Sequence, residues 1–156
     1  MTAASAVNRC GLSFHHFGLA VKRPDPAFLY LEALGYRRGA TCWDPLQRVN
    51  LAMLHHPEMP DVEVIWPGTE ASPIDNLVKG GKTLIYHQCY TSADPAASIA
   101  ALRALGLDII EISPPKPAVL FDGLEVSFYD IARVGVIEII AGTPVARLEQ
   151  AAATAD

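Results

Sequence analysis

The sequence predicts an α+β fold made of two βαβββ-like modules, at about 13–68 and 83–142, with a linker over 69–82, all within one domain spanning 1–156. Three observations lead there. Short segments recur at near-constant spacing: ALGY at 33–36 returns as ALGL at 104–107, and DPA at 25–27 returns at 94–96. Each half opens on an apolar run holding a His and closes on one holding a Glu. Between them lies one stretch of helical spacing, followed by runs of strand length bounded by Gly, Pro, Asn and Asp.

The elements follow in order. FHHFGLAV at 14–21 reads as the first strand. The first helix then takes Asp25 as N-cap and Pro26 as its first residue, with Phe28, Leu31 and Leu34 as the apolar stripe and Gly35 as the stop. Strands are expected at 49–54 and 62–66. In the linker, Ser72 and Pro73 begin a short helix that is either connective or a cover over a site. IYHQCY at 85–90 opens the second module. Its helix runs from the cap Asp94 and Pro95 through Ile99, Leu102 and Leu105 to Gly106. Strands at 107–112, 125–130 and 134–140 complete it. The tail ARLEQAAATAD has little apolar surface and is expected to fray.

Composition narrows the function classes. A chain of 156 residues, 51% hydrophobic and 19% charged, has material for a proper core, and its net charge of -5 does not suit a nucleic-acid surface. The start MTAASAVNRC has no basic segment followed by an apolar core, and no run approaches membrane-span length, so no membrane partner is expected and the default location is the cytoplasm. Cys10, Cys42 and Cys89 form no CxxC pair and are expected to stay reduced.

The chemistry centres on His16, Glu63, His87 and Glu138. Glu63 lies between Val62 and Val64, and Glu138 between Ile137 and Ile139. A buried carboxylate without a partner is costly, and neither flank supplies Arg or Lys, so a divalent cation shared by both is the natural compensator. Two neutral imidazoles would complete the set without adding charge. His16 and His87 are 71 residues apart, the spacing of the ALG repeat, and Glu63 and Glu138 are 75 apart. A single His in a strand is more often a core or edge residue, but four ligand types in repeat-related places make that reading poor. His15 would face the opposite side of a regular strand from His16. His55 and His56, in the turn sequence LHHPEMP, are expected to face solvent.

These motifs resemble the vicinal oxygen chelate superfamily, which includes glyoxalase I, methylmalonyl-CoA epimerase, extradiol dioxygenases and bleomycin resistance proteins. The resemblance runs from about Phe14 to Ile140 and is nearest to the epimerase branch, carried by HHFGLAV, VEVIWPGTEASPI, IYHQCY and GVIEII. It implies a cup-shaped mixed sheet around a metal site, with ligands from the first and last strands of each module, and a homodimer. His16, Glu63, His87 and Glu138 would be the metal ligands. The divalent ion is Co, Ni, Zn, Mn or Mg, since all suit such a donor set.

A cation so held leaves positions where two adjacent substrate oxygens can chelate, which suits proton transfer beside a carbonyl. The expected function is a metal-dependent isomerase or lyase, epimerase-like, on a small-molecule substrate such as an acyl-CoA. Glyoxalase I-like lyase action on a glutathione adduct and non-catalytic resistance-type binding are the alternatives, with an iron dioxygenase behind them. Glu138 is a candidate base. For the second acid or base, Leu46 stands where an epimerase has a carboxylate, and Asp44 and Gln47 are the nearest polar residues. Gln47 can position an oxygen but cannot act as a base, and Asp44 before Pro45 is also a common turn residue. Lys116, in PPKPAVLFDG, stands where a cavity mouth is expected and would meet a phosphate or carboxylate there unless it is simply solvated.

Overall fold

The computed structural model describes residues 8–144, so the expected fraying of the tail lies outside the described residues. Nine strands form one mixed sheet: β1 (Ser13–Ala20), β2 (Arg37–Arg38), β3 (Cys42–Asp44), β4 (Val49–His55), β5 (Asp61–Pro67), β6 (Leu84–Ser92), β7 (Ile109–Pro117), β8 (Glu125–Ile131) and β9 (Gly135–Ala141). Two helices, α1 (Asp25–Ala33) and α2 (Pro95–Ala104), follow β1 and β6. The fold is α+β, as the repeat predicts.

The strand order β2-β4-β5-β1-β6-β9-β8-β7, with β3 also on β4, makes the duplication visible. In each half the first and last strands are parallel neighbours, β1 with β5 and β6 with β9. The halves meet where β1 and β6 pair antiparallel. The four strands that carry His16, Glu63, His87 and Glu138 are therefore adjacent at the middle of the sheet.

Alternation along these strands separates two faces. On β5, Val62 and Val64 pack with Phe28 and Leu31 of α1, while Ile65 joins a different core on the opposite face. On β9, Ile137 and Ile139 pack with Ile99 of α2, while Ile140 turns the other way. Each helix thus covers the back of its own module. The front is shared: Val49, Leu51 and Ile65 of the first half pack there with Cys89, Val126, Phe128 and Ile140 of the second, sealed by Ile74 from the linker.

Several local expectations are corrected. Asp25 is the first helical residue of α1 and Pro24 its cap, because the Phe28 amide already donates to the Pro24 carbonyl. Asp94 does cap α2, accepting from the Ala97 amide. Leu34 and Leu105 are C-cap residues and stay exposed, since each helix ends before the stripe completes its third contact. The linker helix is absent among the described residues; Ser72 starts a run of turns, and a short 3-10 turn follows at Lys79–Gly81. β7 extends through Pro114 and Pro115, which an edge strand tolerates because its ladder on β8 slips twice there. β2 and β3, too short to leave a periodic pattern, were not expected.

No helix among the described residues is long and apolar enough to cross a membrane, and the three cysteines form no disulfide.

Candidate metal centre

The sheet register brings the four residues together in two mirrored rows. Glu63 pairs with Gly18, which pairs with His87. Glu138 pairs with Cys89, which pairs with His16. Each row thus joins the Glu of one module to the His of the other across a single small residue, and the two rows lie side by side on the front face.

Their donor atoms converge. His16 Nε2 lies 3.1 Å from Glu63 Oε2, and His87 Nε2 lies 3.0 Å from Glu138 Oε2 and 3.4 Å from Glu63 Oε2. The two Nε2 atoms are 3.4 Å apart. One donor atom from each of the four residues falls within 4.8 Å of the others, and all four side chains are buried. Among the described residues no Lys or Arg pairs with either carboxylate.

The electrostatics fit a cluster short of positive charge. Burial by itself would lift the Glu63 pKa, but hydrogen bonds from His16 and His87 outweigh it and pull the carboxyl down to about 2. Burial would likewise depress His87, yet Glu138 and then Glu63 drive its imidazole up to about 9. Both shifts express one demand, that two buried carboxylates be given a cation. A proton on His87 meets part of it. A divalent ion meets all of it, because two carboxylates balance its charge and two neutral imidazoles offer lone pairs, a donor set that suits first-row dications. The residues present therefore fit a metal ion.

Room for the rings comes from what surrounds them. Gly18 leaves space for His87, since a Cβ there would fall 2.6 Å from both ring nitrogens. Phe128 meets His87 edge-on at 5.4 Å, and Phe121 tilts against His16 at 5.9 Å. His15 departs from expectation. A register shift between Phe14 and His16 breaks the alternation of β1, and the two adjacent imidazoles meet through their Nδ1 atoms at 2.7 Å. Burial first, and then the neighbouring His16, depress the His15 pKa to about 4. Cys89 also lies near this pair, but burial and Glu138 push its thiol well up, and a protonated thiol is a poor ligand.

A cavity of about 220 Å³ opens on the centre. Glu63 and His87 line it from the side of the cluster, with Tyr86 and Phe128 also in the wall, and Gln47, Arg48, Ser113 and Lys116 supply the remaining polar lining. Leu46, Val49 and Leu51 line it as well. Pro73 and Ile74 bring the linker to its edge. His16 and Glu138 are not among the lining residues.

The other sequence candidates have plain positions. Asp44 is fully buried, and its Oδ1 accepts from the Leu46 and Gln47 amides while Oδ2 accepts from Gln47 Nε2 at 3.2 Å. It is a turn residue that holds Gln47, and it does not line the cavity. His55 pairs with Asp61, and His56 Nδ1 accepts from the Glu58 and Met59 amides, so both organise the turn after β4. Arg48 and Tyr86 drew no attention in the sequence. A Tyr at the repeat equivalent of His15 was the available signal for Tyr86, whereas nothing local marks Arg48.

The sequence profile of the Glyoxalase/Bleomycin resistance protein/Dioxygenase superfamily matches residues 15–128. The chain belongs to that superfamily. The matched span includes three members of the quartet, with Glu138 beyond its end. Solved structures of the superfamily fold superpose over most of the chain. A hypothetical protein of Bacillus halodurans C-125 gives a TM-score of 0.70 at 23% identity, covering 86% of this chain and 97% of that one. Methylmalonyl-CoA epimerase from Mycobacterium tuberculosis gives 0.68 at 21% identity, covering 96% and 97%. A Streptomyces coelicolor methylmalonyl-CoA epimerase variant in complex with 2-nitronate-propionyl-CoA gives 0.62 at 19% identity, covering 81% and 94%. At these identities the superfamily fold is what is shared. No curated protein sequence matches the chain.

Proposed function

We propose that this protein is a metal-dependent isomerase or lyase that moves a proton beside the carbonyl of an anionic acyl substrate, with an acyl-CoA thioester as the first candidate. The observation that carries this reading is the buried two-His, two-Glu cluster opening onto a cavity that Arg48 and Lys116 also line. His16, Glu63, His87 and Glu138 would hold the ion. When bound, a divalent ion supplies Lewis-acid polarisation of a chelated carbonyl, which acidifies the neighbouring C–H.

The chain's own residues would do the rest. Glu63 borders the cavity and is the carboxylate nearest an entering substrate, while Glu138 is tied to His87 at 3.0 Å. Glu63 would take the proton from a substrate carbon beside the cluster, whereas Glu138, off the cavity lining, would do so only on leaving His87. Gln47 has its amide nitrogen on Asp44, so its oxygen is the atom it offers to the cavity. Neither Arg48 nor Lys116 is ion-paired among the described residues, and Lys116 is half-buried, which favours a substrate carrying negative charge away from the reacting carbon. The structural neighbour bound to an acyl-CoA analogue supports the same substrate class. A homodimer and a cytoplasmic setting belong to the same reading.

One observation favours a second reading. Among the described residues Glu63 is the only carboxylate lining the cavity, and the loop that approaches it presents Leu46 and Gln47. Inversion of a centre calls for bases on two sides, whereas a lyase or isomerase of the glyoxalase kind, acting on a glutathione hemithioacetal, needs proton transfer on one side only. Incubating the metal-loaded protein in deuterium oxide with acyl-CoA and hemithioacetal substrates tests both. Deuterium entering the carbon next to the carbonyl, abolished by chelation, supports the proposal and identifies the substrate. Absence of exchange with every substrate in a protein that demonstrably holds metal sinks it in favour of resistance-type binding.

A further inference from the structure

The two metal-ligand candidates from the histidine strands are not equivalent. His87 has its Nδ1 buried without a hydrogen-bond partner, and Tyr86, which precedes it, lines the cavity. His16 has its Nδ1 tied at 2.7 Å to the Nδ1 of His15, the residue that precedes it. The bulge in β1 creates this contact, because a regular strand would send the two rings to opposite faces. His15 is kept in place by Phe121, whose ring it meets edge-on at 5.7 Å.

An imidazole binds a cation through a bare nitrogen and therefore carries its proton on the other one. For His16 the bare atom is Nε2, 3.1 Å from Glu63 Oε2 and in the middle of the cluster. Its proton then sits on Nδ1 and needs an acceptor in a buried place. The only atom at hydrogen-bond distance from that nitrogen among the described residues is His15 Nδ1.

We propose that His15 is a positioning residue for the metal centre: its Nδ1 accepts the Nδ1 proton of His16 and so holds His16 with Nε2 bare and aimed at the ion. This rests on the metal reading of the quartet. His15 itself then carries its proton on Nε2. Its role is to orient a ligand, a task that acceptors behind metal-bound histidines commonly perform.

Two substitutions separate this role from packing. His15→Phe keeps a ring against Phe121 and removes the acceptor; His15→Asn loses the ring and restores an acceptor oxygen. Co2+ affinity is measured by titrating the metal-free proteins and following the visible absorption of the bound ion, with Zn2+ competition as a second readout. The proposal expects His15→Phe to bind roughly 10- to 100-fold more weakly, His15→Asn to recover most of that loss, and both metal-free variants to melt as the parent does. In the Zn2+-loaded parent, nitrogen NMR should find His15 protonated on Nε2. Parent-like affinity in His15→Phe, or a larger loss in His15→Asn than in His15→Phe, overturns the proposal while leaving the metal centre standing. Failure of the parent to bind either ion overturns the metal reading and, with it, this one.

Discussion

Gly18 and His87 occupy one space: the imidazole lies against the glycine Cα so closely that a Cβ would overlap it, 2.6 Å from both Nδ1 and Nε2. The two residues are direct partners across β1 and β6, where the modules meet. Cys89 takes the corresponding place in the other row, between Glu138 and His16. The centre is therefore built from a repeated frame with one position emptied to admit a ring. Gly18→Ala should destabilise the protein by about 1–3 kcal/mol through overpacking of a buried site. It should also displace His87 and lower metal content, read by denaturant melts and metal analysis. A variant of parental stability and metal content would mean that the ring has another place to go.

Removing either carboxylate of the cluster should be felt first in the metal. Glu63→Ala and Glu138→Ala are each expected to lower bound metal by at least about tenfold, measured on purified protein after dialysis against dilute ion. His55→Ala, in the turn after β4, should leave metal content unchanged.

Asp44 and Gln47 can be told apart by what each loss disturbs. Asp44→Ala deprives two amides and the Gln47 side chain of their acceptor, which should cost about 1–3 kcal/mol of stability with metal retained. Gln47→Ala should raise KM with stability and metal intact. A large fall in kcat for Asp44→Asn at unchanged stability would instead make Asp44 an acid or base.

The cavity cations should act on substrate alone. Arg48→Ala and Lys116→Ala are each expected to raise KM roughly tenfold for an anionic substrate, the scale of one charge-assisted contact, without altering metal content. An effect equal on charged and neutral substrate analogues would argue that the two residues serve only to shape the wall.

Metal-free protein should be most stable near pH 6.5. His87 is raised in the fold to about 9, so its contribution is complete below its unfolded value of 6.5 and is lost as pH rises through 9. His15 is lowered to about 4, so stability is lost as pH falls from 6.5 through 4. Glu63, lowered to about 2, adds a further loss as pH falls below its unfolded value of 4.5. Melting temperatures of chelated protein across pH 4–10 check this, and a curve that rises steadily to pH 9 would contradict it. Metal binding near neutral pH should release a proton, because the ion replaces the one on His87.

What could be read in the chain, and what could not, divides along the range of the forces involved. Period-two alternation and the His, DPA, ALG and Glu repeats are local, and they marked seven of the nine strands, both helices and the four residues of the cluster before any packing was known. The Asp94 cap was equally legible, because one side chain and one amide three residues on suffice to form it. Asp25 misled because the cap depends on where the backbone turns, and Pro24 turns it one residue sooner. The tertiary structure alone decided the rest. A slipped register in β1 set His15 behind His16, pairing across the module boundary made Gly18 the seat of His87, and the approach of separate loops and strands gave Arg48 and Lys116 a common cavity. Each of these joins residues far apart in the chain or depends on a single irregular step in the backbone, and neither leaves a periodic trace in the sequence.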